Sequence, residues 1–108
     1  MRTLLVILAL TLAASAKDKP VDIHSGQALL DNCTVGHIGS FPYGVCMGVI
    51  YTVSQYEIAS RRICVPHGDT IEIIELRTVE YLKTHAGELD RRDVVVAITA
   101  LRHLYPCK

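Results

Sequence analysis

Three pairs of residues have the spacing of metal ligands. Cys33-x3-His37, Cys64-x2-His67 and His103-x3-Cys107 each place a thiol and an imidazole close along the chain, an arrangement that holds zinc where thiols stay reduced. With Cys46 they use all 4 cysteines of the sequence. Covalent catalysis needs a nucleophile beside a positioned base, and acid–base catalysis needs two carboxylates with separated pKa values. Ser40 and Ser54 sit in no recognisable nucleophile motif. Glu72, Glu75 and Glu80 recur along one helical stretch and read as solvated charges on its polar side. No enzyme and no cofactor are expected from these residues.

The N-terminus decides between metal and disulfide. Arg2, an apolar run from Leu4 to Leu12 and the small-x-small triplet Ala14-Ser15-Ala16 form the three parts of a secretory signal. Cleavage after Ala16 predicts a mature chain beginning at Lys17, so residues 1–16 are a signal peptide and 17–108 one exported, periplasmic domain. The apolar run is far shorter than the ~20 residues that span a bilayer. No cysteine stands at the cleavage point to carry a lipid. In an exported chain this short, four cysteines read as two disulfides, which consume the thiolates that zinc needs. No bound metal is therefore expected, and His37, His67 and His103 read as surface or cap residues. Each bridge is worth about 2–4 kcal/mol, which matters because so small a core is marginal by itself.

Charge excludes two partner classes. Eleven Lys and Arg balance eleven Asp and Glu, and the signal removes only Arg2 from that count. A near-neutral chain offers no basic footprint for nucleic acid or an anionic membrane surface.

The elements that must position these residues are helical. Lys17 to His24 has no periodicity and reads as an arm. Ser25 caps a short helix with Ala28, Leu29 and Cys33 on one side. Thr34 to Gly44, with Gly36, Gly39, Pro42 and Gly44, reads as a loop. From Val45 to about Arg62, Val49, Ile50, Val53, Tyr56 and Ile58 predict a helix apolar over more than one face. Cys64 to Gly68 is a turn, and Asp69 or Thr70 caps a third helix through Ile74, Leu76, Val79 and Leu82 that stops at Gly87. A fourth begins at Asp90, carries Val94, Val95, Ile98, Leu101 and Tyr105, and ends at Pro106. No alternating pattern is sustained, so the fold class is all-α: a small up-down four-helix bundle.

That map selects the pairing of the cysteines. If Cys46 to Cys64 is mostly helix, the two lie about 27 Å apart, beyond the reach of a disulfide. In an up-down bundle the end of the first helix and the start of the second share a pole, which brings Cys33 to Cys46. The ends of the second and fourth helices share the other pole, which brings Cys64 to Cys107. The remaining pairing needs each bridge to span the bundle.

Gly44, Met47, Gly48 and Tyr51 put small residues on an apolar helix, where backbones can approach closely. They read either as packing within the chain or as a homodimer seam formed by Met47, Gly48 and Tyr51.

The order of motifs resembles a known family. Leu29 and Leu30 precede the first cysteine, Gly48 follows Cys46 by two residues, and Cys64, Pro66 and Gly68 form Cys-x-Pro-x-Gly. Tyr81-Leu82 is followed by His85, and Ala100-Leu101 by Pro106-Cys107. From Gly26 to Cys107 this resembles the Rap/Tai family of periplasmic immunity proteins that neutralise type VI secretion amidase toxins. The resemblance implies a disulfide-bonded helical dimer that binds a peptidoglycan amidase and occludes its active-site cleft. The chain differs from the usual pattern in having Ala86-Gly87-Glu88 where Pro-Glu commonly follows the histidine, and Tyr51-Thr52 where small residues are common.

Such a role needs a shaped loop to fill a groove. His85, Gly87, Glu88 and Asp90, with Arg91 and Arg92 alongside, form the first choice for effector binding. The turn from Pro66 to Asp69 and the loop from Thr34 to Gly44 are alternatives, as is an ordinary solvated helix connection. A second reading of the whole chain is a periplasmic stress protein or chaperone-like binding module without a toxin partner, in which the 5 histidines confer pH sensitivity.

Overall fold

The computed structural model describes residues 22–108, so the signal peptide and its cleavage point lie outside the described residues. The helices are α1 (Gly26–Val35), α2 (Phe41–Ala59), α3 (Ile71–Thr84) and α4 (Asp93–Leu104), with one 3-10 turn, Ala86–Glu88, between α3 and α4. The described residues hold no strand beyond an isolated bridge between Ser25 and Arg92. No helix among them is long and apolar enough to cross a membrane.

Hydroxyl side chains start three of the helices. Ser25, Ser40 and Thr70 accept the backbone N–H of Ala28, Tyr43 and Ile73 respectively, satisfying donors that the first turn leaves unpaired. Thr70, not Asp69, therefore caps α3. Asp69 is occupied elsewhere, accepting from Arg77 at 2.7 Å and from the Tyr105 hydroxyl at 2.9 Å. α2 begins at Phe41 rather than Val45 because Pro42 falls in its first turn, where a missing N–H costs nothing and the fixed φ suits a helix. The loop shrinks accordingly. Gly36 is needed there, since a Cβ on it would meet the Tyr43 nitrogen at 2.5 Å.

Helix ends also differ from the sequence reading. α2 stops at Ala59, not near Arg62, because Arg61 adopts φ 58. Its N–H then donates to Ile58 and that of Arg62 to Glu57, closing the last turn in the manner usually reserved for glycine. α3 ends at Thr84 with His85 as its cap, ahead of Gly87. α4 begins at Asp93 rather than Asp90, and its last apolar residue, Tyr105, is buried just beyond its end.

Each helix packs against the other three. Leu29 and Cys33 of α1 meet Cys46, Ile50 and Val53 of α2, Ile74, Val79 and Leu82 of α3, and Val96, Ala97, Ala100 and Leu101 of α4. The face of α4 is thus turned from the expected stripe: Val94 and Val95 are exposed, and two alanines permit close approach in their stead. Tyr56, Ile58 and Leu76 likewise face outward.

Two carboxylates enter the core. Glu57 is fully buried and accepts a two-pronged bond from Arg102, Nε at 2.8 Å and Nη2 at 3.2 Å, which ties α2 to α4. Glu75, expected among solvated charges, is 6% exposed against the α1–α2 pole.

The disulfides are Cys33–Cys46 and Cys64–Cys107, with Cα separations of 5.0 and 4.9 Å, and no cysteine is free. A backbone bond from the Cys64 N–H to the Tyr105 carbonyl reinforces the second pole. The result is the all-α four-helix bundle with both staples where the pole argument put them.

Candidate functional site

The segment from His85 to Arg92 projects between α3 and α4, yet its backbone is fixed. The N–H groups of Gly26 and Gln27, unpaired donors at the start of α1, donate to the carbonyls of Arg91 at 2.7 Å and Leu89 at 2.9 Å. Asp93 donates in turn to the His24 carbonyl at 2.8 Å. Within the turn, Glu88 donates to His85, Leu89 to Ala86 and Arg91 to Glu88. Leu89, 4% exposed, anchors it in the core. Gly26 makes this contact possible, because a Cβ there would lie 2.8 Å from Val96 Cγ2 and 3.1 Å from Leu89 Cα.

Tyr81 organises the side chains. It sits one helical turn before His85, so both rings fall on one face of α3 and stack at 3.7 Å with an angle of 9°. His85 Nδ1 bonds the Tyr81 carbonyl at 2.8 Å, which orients the ring. The Tyr81 hydroxyl donates to Glu88 Oε2 at 3.4 Å. Burial first and the Glu88 carboxylate second push that hydroxyl above the ordinary tyrosine range, so it remains a donor. His103 of α4 tilts against the same ring at 5.2 Å. A groove of about 460 Å³ runs from these rings along α3 and α4 to Leu76, Arg77 and Leu104.

The four residues expected to bind an effector thus occupy one turn, in two roles. His85 and Glu88 are half-buried and held by Tyr81, while Gly87 and Asp90 are exposed at the tip. A Cβ built on Gly87 meets nothing within 4 Å. The turn offers a small, rigid protrusion with a polar tip, a shape that fills a cleft at little cost in ordering entropy. Tyr81 entered the sequence reading only as a motif residue ahead of His85, and neither it nor Gly26 was expected as a support. The four-residue interval from Tyr81 to His85 was the available signal for the first; nothing local announced the second.

The residues expected at a dimer seam lie on the outer side of α2. Gly48 and Tyr51 are exposed, Tyr51 at 52%, and Met47 is half-buried. Built Cβ atoms on Gly44 and Gly48 meet nothing within 4 Å, so packing among the described residues does not require either glycine.

The zinc-like spacings all involve sulfurs that are now bridged. Among the described residues, the cluster of three potential metal ligands is Cys33, Cys46 and Glu75, whose sulfurs are bonded to each other. Ser40 is a helix cap, and buried Ser54 donates to the Tyr51 carbonyl.

A family model described as Rap1a immunity proteins matches residues 25–107. No curated protein and no solved structure matches the chain.

Proposed function

The chain belongs to the Rap1a immunity protein family, and on that premise we propose that it is a periplasmic protein that inhibits a type VI secreted peptidoglycan amidase by filling its active-site cleft. The family implies an immunity protein that binds a secreted effector, an inhibitor rather than an enzyme. Two disulfides are compatible with export. The observation that carries the cleft-filling mode is the fastening of the His85–Arg92 turn to the first turn of α1. A near-neutral inhibitor gains little from charge steering, so its affinity must come from shape and exclusion of water, and a turn with a fixed backbone supplies the shape.

In this reading Gly87 enters deepest, Asp90 meets donors at the rim, and Tyr81 keeps His85 and Glu88 in position. The active species is a homodimer joined along α2 through Met47, Gly48 and Tyr51. Gly87→Trp tests the mode directly, because Gly87 is exposed and a Cβ there meets nothing within 4 Å among the described residues. The variant should melt as the wild type does and lose inhibition of the cognate amidase. Inhibition at wild-type strength would show that another surface covers the cleft.

A further inference from the structure

The Cys33–Cys46 bridge has a neighbour that effector binding does not use. Glu75, in the second turn of α3, places Oε1 3.9 Å from Cys46 Sγ. A bridged sulfur carries no hydrogen, so this contact is a hydrogen bond only when the carboxyl is protonated and donates to sulfur. Among the described residues, that sulfur is the carboxyl's one polar contact. Burying a carboxyl with so little compensation costs stability, and an apolar residue at this position would pack without that cost.

We propose that Cys33–Cys46 is an exchange-active disulfide and that Glu75 is its proton donor and acceptor. Cys46 is fully buried against the carboxyl, whereas Cys33 lies at the edge of the core, in the last turn of α1 before exposed Thr34 and Val35. A dithiol reductant attacks Cys33 Sγ as its thiolate. A new sulfur–sulfur bond forms, the Cys33–Cys46 bond breaks, and the electron pair leaves on Cys46 Sγ, which takes the proton of Glu75. The second thiolate of the reductant then attacks the reductant sulfur in the mixed disulfide and expels Cys33, which is protonated by solvent. Glu75 regains a proton from solvent. The dithiol ends as a disulfide and the protein as two thiols. Run in reverse with a disulfide oxidant, Glu75 takes the proton from the Cys46 thiol and makes it the attacking thiolate.

The surroundings suit this role. Burial alone raises the carboxyl above its ordinary range, and no charged group on α1, α2 or α4 adds to the shift. The two bridged sulfurs, one from α1 and one from α2, lie within 4.8 Å of it. A carboxyl so placed keeps its proton to higher pH than an exposed one and can hand it to a leaving thiolate. Opening this bridge would release the α1–α2 pole, where Val35, Ile38 and Phe41 already stand exposed.

The second bridge is an internal control, since Cys64–Cys107 is exposed and Cys107 Sγ faces the Arg61 carbonyl oxygen instead of a carboxyl. The purified oxidised protein is treated with dithiothreitol across a pH series, quenched by alkylation, and each bridge is followed by peptide mass. On the acid side of the Glu75 titration, wild-type Cys33–Cys46 should open at least roughly tenfold faster than in Glu75→Gln, and show a titration that the variant lacks. Cys64–Cys107 should be unchanged. Equal rates, or a changed rate with an unchanged pH profile, would overturn the proposal. Should Glu75→Gln fail to fold, the wild type still decides. Ionisation of the reductant gives both bridges the same solvent deuterium effect, so a larger effect at Cys33–Cys46 than at Cys64–Cys107 is expected, and equal effects at both bridges would overturn it.

Discussion

The N–H of Gly26 donates to the carbonyl of Arg91 at 2.7 Å, which fastens the turn after α3 to the first residue of α1. An unpaired helix donor and an irregular loop carbonyl satisfy each other, so neither end needs water. The shape of the proposed inhibitory turn thus depends on a glycine that does not belong to it.

Gly26→Ala tests that dependence. The added methyl would meet Val96 Cγ2, which can rotate, but also the Leu89 backbone, which cannot. Overpacking of this kind costs about 1–3 kcal/mol. The variant should lower the urea midpoint and weaken inhibition of the effector, although residue 26 is not at the tip. Wild-type values for both would show that the clamp has slack.

Glu75 makes stability fall with pH. Its carboxyl is raised above the ordinary value of 4.5 by burial, so the folded chain holds this proton more tightly than the unfolded chain. The stabilisation is complete below the ordinary value and is lost as pH rises through the raised one. Urea unfolding over a pH series should show a decline in wild type on that interval that is missing from Glu75→Gln. Parallel curves would mean that the carboxyl is not held neutral.

Arg61 holds a left-handed conformation that costs a side-chain-bearing residue about 1–2 kcal/mol. Glycine removes that cost and adds entropy to the unfolded chain, so Arg61→Gly should stabilise by about 0.5–1 kcal/mol. Thermal unfolding checks it, and a lower midpoint would show that the arginine side chain makes an offsetting contact.

The same residue explains where sequence reading stopped. Hydroxyl caps such as Ser25 and the existence of four helices follow from local rules, the disulfide pairing follows from the bundle's poles, and the bundle assembled from them is the one observed, although Val94, Val95 and Leu76 face outward. Arg61 ends α2 without the glycine that signals such an end, so the helix read too long. Pro42 read as a breaker because its effect depends on whether it stands in the first turn or the interior, which the start of the helix decides. Glu75 read as solvated because its helix carries Glu72 and Glu80 too, and only the fold determines which of three carboxylates turns inward. The four effector-binding candidates were legible as a polar turn, whereas their support from Gly26 lies far away in sequence.

The proposed homodimer rests on the outer face of α2, where Gly44 and Gly48 leave an open notch beside exposed Tyr51. A helix interior gives up about 1 kcal/mol for each glycine relative to alanine, and nothing among the described residues calls for either one. Close approach by a second backbone would account for both. Gly48→Glu separates the two terms, since the side chain has free space in one chain but puts a charge into a seam. Light scattering should find a dimer for the wild type and a monomer for the variant at micromolar concentration. The variant's melting temperature should also lose the dependence on protein concentration that association imposes. A wild-type monomer would remove the seam altogether, and a variant that stays dimeric would move the contact away from Gly48, toward the exposed Val35, Ile38 and Phe41 at the α1–α2 pole.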